Sequence, residues 1–164
     1  YPELCLILAP RHPDRGDKVH ARIKEEGLTS TRRTYGEWPG GQVFLADTMG
    51  ELGLWYALSD IVFLGGSLHP IGGHNPFEVA QSGSAVISGP HVAAFAETYD
   101  DMKAAGAAFH AKDAQSIGLK VDQLLSDDAA RSKACAAATQ FVEGQTDLLD
   151  TISERLIKAL DLRS

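Results

Sequence analysis

The feature of the sequence that most constrains its fold is the alternation of short apolar runs with longer amphipathic segments. Residues 4–9 (LCLILA) form a continuous apolar run, typical of a strand that a parallel sheet buries on both faces. Pro10 ends this run. The segment 14–26 follows, and its apolar Val19 and Ile23 lie four residues apart among charges, which predicts an amphipathic helix. The first elements therefore form a β–α unit.

The same pattern continues along the chain. Further strands are predicted at residues 29–34, 43–46, 61–64, 85–88 and 107–110. Further helices are predicted at residues 52–59, 76–82, 94–105, 114–125, 129–143 and 148–160. Strands that alternate with helices predict right-handed βαβ crossovers. The expected fold is α/β: a Rossmann-like, three-layer αβα domain with about six parallel strands, followed by C-terminal helices.

The last predicted helix carries one apolar stripe, made of Leu149, Ile152, Leu156 and Leu160. Packing on the chain's own sheet is the simpler explanation of this stripe. Docking across a partner domain is the alternative.

Length and composition narrow the class of protein. The 164 residues suit one domain, and 44% apolar with 23% charged residues is ordinary for a globular chain. The 15 basic and 22 acidic residues leave a net charge of −7, which argues against non-specific nucleic-acid binding. Cys5 and Cys135 form no CxxC pair and are expected in the core, so a reducing compartment fits best. The chain has no initial Met, and we interpret it as a domain of a longer protein.

Four loops at the carboxyl ends of predicted strands hold most of the unusual residues. They are residues 10–12, 47–51, 65–75 and 89–91. In an open α/β sheet, ligands bind beyond the carboxyl ends of the strands. Arg11 could bind a phosphate or carboxylate there, or it could pair with Asp14 or Glu51.

The segment 47–51 predicts a capping box, with Thr48 at the N-cap and Glu51 at N3 of the next helix. Gly50 would let a ligand approach the backbone closely. A capping box alone also explains Thr48 and Glu51, so both interpretations stay open.

The loop 65–75 is the richest candidate. Asn75 is expected to cap a helix that has Pro76 at N1 and Glu78 at N3. That cap leaves the glycine pairs around His69 and His74 unexplained, which favours a functional loop. The Rossmann G-x-G-x-x-G, P-loop and G-x-S-x-G patterns are absent.

A metal site is disfavoured, and two other groups of residues are expected to be structural or on the surface. A metal site made of His69, His74, Glu78 and His91 is conceivable but disfavoured. His20 and His110 lie outside the loops. Arg32 and Arg33 are assigned to an edge strand, where charges discourage aggregation.

Five motifs, taken in order, closely resemble the 3-deoxy-D-manno-octulosonic acid (Kdo) transferases, which build the inner core of Gram-negative lipopolysaccharide. They are APRHP at 9–13, DTMGEL at 47–52, GGSL at 65–68, GGHNPFE at 72–78 and GPH at 89–91. The resemblance covers nearly the whole chain and is weaker beyond residue 111.

The resemblance implies an inverting GT-B glycosyltransferase, with residues 1–164 as its C-terminal, nucleotide-sugar-binding domain. The donor would be CMP-Kdo and the acceptor a lipid A precursor, with no cofactor and no metal. The acceptor site, the catalytic base and the membrane contact would lie in an N-terminal half, at the cytoplasmic face of the bacterial inner membrane. We therefore expect no catalytic residue in this chain, and no transfer by it alone.

The resemblance also assigns residues to the donor. Three segments would contact CMP: Pro10 and Arg11; Met49, Gly50 and Glu51; and Asn75, Pro76, Phe77 and Glu78. Arg11 and the amides at the Asn75 helix start suit the phosphate, whereas Glu51 or Glu78 suits ribose hydroxyls. Ser67 and His74 are candidates to face the donor sugar or the cleft.

Two alternatives remain at this point. A GT-B enzyme with a UDP- or GDP-sugar donor would share the fold and differ in the base pocket. A non-catalytic nucleotide- or sugar-binding module would bind without taking part in transfer. An NAD-dependent oxidoreductase is disfavoured because its fingerprint is absent.

Overall fold

The computed structural model describes the backbone of residues 1–159, together with their side chains apart from those of 147–151, 153, 154, 158 and 159. Contacts divide the chain into two compact units, Tyr1–Trp55 and a second unit that begins at Tyr56. Each unit contains three parallel strands with helices beside them.

Unit 1 is built on strands β1 (Leu6–Leu8), β2 (Ser30–Arg32) and β3 (Val43–Leu45). The spatial order is β1-β3-β2, and both neighbours run parallel to β3. Helix α1 (Gly16–Glu25) connects β1 to β2, and helix α2 (Leu52–Ala57) begins after β3. The predicted edge position of the second strand is therefore confirmed.

The core of unit 1 follows from the alternation of side chains along β3. Val43 and Leu45 lie on one face and pack against Ile23 of α1. Phe44 lies on the other face and packs against Trp55 of α2, with ring centroids 5.1 Å apart. All three residues of β3 are buried, as a continuous apolar run at the centre of a parallel sheet predicts.

Unit 2 is built on strands β4 (Ile61–Leu64), β5 (Ala85–Ser88) and β6 (Ala108–His110), in the spatial order β4-β5-β6. The helices follow as α3 (Phe77–Gln81), α4 (Ala96–Ala104), α5 (Ala114–Ser126) and α6 (Asp128–Ala159).

The core of unit 2 is arranged about β5, all of which is buried. Val86 belongs to a cluster that includes Tyr99 and Met102 of α4. Ile87 points to the opposite face and belongs to a cluster with Leu124 of α5. Helices therefore cover both faces of the strand, which is the three-layer arrangement that the sequence predicts.

The α/β class and its parallel strands are confirmed, with two differences in detail. Hydrogen bonds join the strands into two ladders of three, whereas one sheet of about six strands was expected. The two helices predicted at 129–143 and 148–160 form the single helix α6 as far as Ala159; residue 160 lies outside the described residues. Gly144 does not end the helix, because one interior glycine costs only about 1 kcal/mol.

The apolar stripe of α6 does not pack as expected where it can be described. Ile152 and Leu156 are both exposed, so packing on the chain's own sheet is wrong for these two residues. The Leu149 side chain and Leu160 lie outside the described residues. Docking of the stripe on a partner domain stays a prediction.

Candidate functional site

In unit 1 the predicted donor residues gather at one edge of the sheet. Pro10 and Arg11 follow β1, and the segment 49–51 follows β3. Leu8 and Leu45 are partners in the parallel ladder, so the carboxyl ends of the two strands are neighbours. This is the edge at which an open α/β sheet binds ligands.

Glu51 is the most constrained side chain of this edge. Arg33 donates from Nη2 to Oε1 at 2.8 Å and from Nε to Oε2 at 3.1 Å, and the Thr48 hydroxyl also donates to Oε2. The hydrogen bonds from Arg33 and then Thr48 hold the pKa of the Glu51 carboxyl below its usual value. Glu51 is therefore an ionised acceptor with a fixed orientation.

The capping box predicted at Thr48 is wrong. Helix α2 begins at Leu52, and the carbonyl of Glu51 accepts from the amides of Leu54 at 3.0 Å and Trp55 at 3.3 Å. Glu51 thus precedes the first turn and does not lie inside it at N3. The Arg33 ion pair draws its carboxylate away from the backbone and onto the end of β2.

Met49 and Gly50 form the exposed tip of the segment. Gly50 has φ 82°, and a Cβ built on it would meet nothing within 4 Å. Met49 is 77% exposed. This backbone is open to an approaching ligand, as the sequence predicts, and its positive φ favours glycine.

A buried ion pair beneath this edge escaped the sequence analysis. The side chain of Asp47 is 0% exposed and accepts from Arg32 Nε at 2.5 Å and from the Thr34 amide at 3.0 Å. Burial opposes ionisation of Asp47, but the hydrogen bonds from Thr34 and Arg32 outweigh it and lower the pKa of the carboxyl. Arg32 is thus a buried partner of Asp47, and its assignment as a charge that protects a sheet edge is wrong.

In unit 2, Ser67 is a structural residue. It is fully buried; its hydroxyl donates to the Leu64 carbonyl at 2.6 Å and accepts from the Gly89 amide at 2.8 Å. The carbonyl of Ser67 accepts from the His91 amide at 2.9 Å. Ser67 therefore ties the loop after β4 to the loop after β5. Its contact with the donor sugar or the cleft stays a prediction.

One glycine of each pair in the loop 65–75 has a packing reason. Gly66 has φ 70°, and a Cβ there would lie 3.1 Å from Nε2 of His74. Gly73 has φ 76°, and a Cβ there would lie 3.1 Å from Cα of Val92. His74 is half-buried, and its carbonyl accepts from the Tyr99 hydroxyl at 3.0 Å. This loop is folded back on itself around the His74 ring.

Asn75 caps the following helix, but the register differs by one residue. Its Oδ1 accepts from the Phe77 amide at 3.0 Å, and α3 begins at Phe77, whereas Pro76 was expected at N1. Because Asn75 already bonds this amide, the amide is engaged and not turned toward a ligand. Pro76 is buried, and Glu78 lies exposed on the first turn.

Phe77 packs within its own unit. Its ring meets that of Phe141 of α6 edge to face, with centroids 6.4 Å apart. The ring is half-buried, so a part of it stays accessible. Phe77 thus fixes the start of α3. Its contact with a nucleotide stays a prediction.

Two features are absent from the part of the chain that the structure describes. Among residues 1–159, no helix combines the length and apolar character that a bilayer span requires. Within the same part of the chain, no three His, Cys, Asp or Glu side chains come together as a metal site would need. The expectation that transfer needs no metal stays a prediction.

The chain is similar in sequence to proteins of known function. No family model matches the chain. The chain is 39% identical over 140 residues to 3-deoxy-D-manno-octulosonic acid transferase from Bordetella pertussis, covering 84% of this chain and 33% of that protein. The protein of the same name from Haemophilus influenzae is 46% identical over 101 residues, covering 60% of this chain and 24% of that protein. The chain thus spans about a third or less of these relatives.

Two solved structures also match. The C-terminal CMP-Kdo binding domain of WaaA from Acinetobacter baumannii has a TM-score of 0.79 and 37% identity, covering 83% of this chain and 72% of that domain. The C-terminal domain of a glycosyl transferase group 1 family protein from Francisella tularensis has a TM-score of 0.61 at 20% identity, with 89% and 71% covered. The second likeness concerns the fold alone.

Proposed function

The chain belongs to the 3-deoxy-D-manno-octulosonic acid transferase family, and from that premise we propose that it is the part of such an enzyme that binds the donor CMP-Kdo. The whole enzyme would transfer Kdo to a lipid A precursor during lipopolysaccharide synthesis, as an inverting glycosyltransferase of the GT-B kind. The observation that carries the proposal is the 37% identity over 72% of a solved domain that itself binds CMP-Kdo.

The geometry of unit 1 supports this function. Arg11 follows β1 and supplies a cation for the phosphate of CMP. Glu51 follows β3 as an ionised, oriented acceptor, and it suits a ribose hydroxyl and not the phosphate. Gly50 directly precedes Glu51, and its open backbone can receive the edge of the nucleotide base.

The chemical task of this part of the enzyme is to stabilise the leaving group. When the bond between Kdo and CMP breaks, the phosphate gains negative charge, and the Arg11 guanidinium offsets it. No base is assigned to this chain. We place the catalytic carboxylate, the acceptor site and the contact with the inner membrane in the part of the relatives that this chain does not match. His74, Asn75, Pro76, Phe77 and Glu78 remain proposed donor contacts.

The test is calorimetric titration of the chain with CMP, with UMP, GMP and NAD as comparison ligands. We expect CMP to bind best, and Arg11→Ala to weaken its binding roughly tenfold because a charge-assisted bond is lost. Arg22→Ala is the matched control, since Arg22 is an exposed arginine that pairs with Glu25 and Glu26 on α1.

Each alternative predicts a different result. Tighter binding of a uridine or guanosine nucleotide than of CMP would favour a GT-B enzyme with another donor. Tight binding of NAD would contradict the proposal outright. A non-catalytic module would bind CMP but would restore no transfer when the remaining part of the enzyme is added. If Arg11→Ala and Arg22→Ala lose the same affinity for CMP, the proposal that Arg11 binds the phosphate is contradicted.

A further inference from the structure

Arg33 holds the Glu51 carboxylate in a two-pronged ion pair. Nη2 donates to Oε1 at 2.8 Å, while Nε is shared between Oε2 at 3.1 Å and Oε1 at 3.2 Å. The two side chains come from different elements, because Arg33 follows β2 and Glu51 follows β3. A fork of this kind fixes direction as well as distance.

The Arg33 guanidinium also lies beside two tryptophan rings. Its guanidinium carbon lies 4.7 Å from the ring centroid of Trp38 and 5.9 Å from that of Trp55. Trp55 is buried and packs on Phe44 at the centre of the sheet. The aromatic contact therefore fixes the orientation of the Arg33 guanidinium relative to the core of unit 1.

The number of acceptor sites on Glu51 limits what else it can bind. An ionised carboxylate offers about four lone-pair sites. Arg33 Nη2, Arg33 Nε and the Thr48 hydroxyl supply three donors to it. Because Nε is shared between both oxygens, these donors make four hydrogen bonds, and a ligand hydroxyl can approach the carboxylate only from the directions that they leave open.

We propose that Arg33 is the positioning residue of the nucleotide site: it orients Glu51 and, through it, the exposed backbone of residues 49–51. The inference rests on the proposed function, since it concerns how the same edge recognises CMP. Arg33 does not touch the ligand. It removes the rotamer freedom that Glu51 would otherwise lose on binding, which raises affinity without adding a contact.

The experiment compares Arg33→Ala and Arg33→Lys with Arg131→Ala by calorimetric titration of the chain with CMP. Arg131 is a matched control because its side chain is 24% exposed against 22% for Arg33, and it also forms ion pairs, with Asp60 and Asp128. We expect Arg33→Ala to weaken CMP binding roughly tenfold and Arg33→Lys to recover little, since an ammonium keeps the charge but not the fork. Arg131→Ala should stay within about twofold of the unmodified chain.

A second arm separates positioning from stability. In a Glu51→Gln background, Arg33→Ala should cost less than about twofold in CMP affinity, because the two side chains act as one unit. In the ligand-free chain, the Gly50 amide resonance should shift in Arg33→Lys and stay in place in Arg131→Ala. If circular dichroism shows that Arg33→Ala does not fold, Arg33→Lys still tests the positioning role.

The outcomes distinguish the two proposals. If neither the unmodified chain nor Arg131→Ala binds CMP, the proposed function fails, and the role of Arg33 in it fails too. If the unmodified chain binds CMP and Arg33→Ala and Arg33→Lys bind it equally well, only the positioning role is overturned. A lowered thermal midpoint with an unchanged dissociation constant would likewise overturn it, because that is the signature of a purely structural ion pair.

Discussion

Asp47→Asn isolates the energetic effect of burial on an ion pair, because Arg32 has two carboxylate partners in different surroundings. Asp47 bonds Arg32 Nε at 2.5 Å with its side chain 0% exposed, whereas Asp17 bonds Arg32 Nη1 at 2.6 Å with its side chain 88% exposed. Asp17→Asn is therefore a control with the same partner and a similar bond length.

The expected magnitudes differ because the surroundings differ. An asparagine at position 47 can still accept from the Thr34 amide, but it leaves the buried Arg32 without its buried counter-charge. Removing one member of a buried pair costs about 3–5 kcal/mol, while an exposed pair contributes about 0–1 kcal/mol. Because Arg32 keeps Asp17 as a partner, we expect about 2–3 kcal/mol for Asp47→Asn and less than about 1 kcal/mol for Asp17→Asn.

Tryptophan fluorescence measures this effect selectively. The chain has two tryptophans, Trp38 and Trp55, and both lie in unit 1, where Trp55 is buried. Urea unfolding followed at the tryptophan emission therefore gives the free energy of unfolding of the unit that contains the ion pair. Linear extrapolation to zero urea provides the difference between variants.

The pH dependence fixes the sign of the effect. The folded-state pKa of Asp47 lies below the ordinary 3.8, so its ionised form stabilises the fold above that pH and the contribution disappears as pH falls through the lower folded value. The stability gap between the unmodified chain and Asp47→Asn should be constant near neutral pH and shrink below about pH 4. Equal losses for Asp47→Asn and Asp17→Asn, or a gap that grows in acid, would refute the reasoning.

Two further predictions concern unit 2. A Cβ at Gly89 would lie 2.5 Å from the carbonyl carbon of Ser67, so Gly89→Ala should lower the free energy of unfolding by about 3 kcal/mol or more. Gly118 lies inside α5 with open space around it, so Gly118→Ala should raise the free energy of unfolding by about 0.5–1 kcal/mol. Urea titration by circular dichroism checks both, and equal effects would contradict the packing argument. Burial raises the pKa of the Cys135 thiol, so iodoacetamide should modify it at pH 8 at least about tenfold more slowly in the folded chain than in urea, as mass spectrometry can measure; equal rates would contradict this.

The elements that sequence reasoning located well are those whose signal is local. The run at 43–46 is apolar on every residue, and β3 is buried on both faces. The strand predicted at 61–64 is found as β4 (Ile61–Leu64). Because parallel strands end at a common edge, the loops that follow them could be assigned to a ligand site before any contact was known. Fold class is therefore readable from the sequence pattern, and so is the edge of the sheet at which a ligand site is expected.

Side-chain roles within the loops were less readable, because they depend on partners distant in sequence. Ser67 looks like a ligand contact, since it follows a strand and a pair of glycines. Its hydroxyl instead bonds Gly89, which is 22 residues away. The same holds for Glu51: a local capping box explains it until Arg33, 18 residues earlier, takes its carboxylate. Local rules assign such residues correctly only when no charged partner competes for them.

The pair Arg32 and Arg33 shows how a competing partner changes the meaning of a sequence. Adjacent arginines at the end of an edge strand suggest solvated charges, and a strand's side-chain alternation sends them in different directions. Arg32 turns to buried Asp47, and Arg33 turns to Glu51 beside the tip of the proposed site. One arginine thus stabilises the base of the edge while its neighbour orients the residue that would meet the nucleotide. Arg32→Met should therefore lower the free energy of unfolding more than it weakens CMP binding. Arg33→Lys should weaken CMP binding more than it lowers the free energy of unfolding, because the two charges act on different carboxylates.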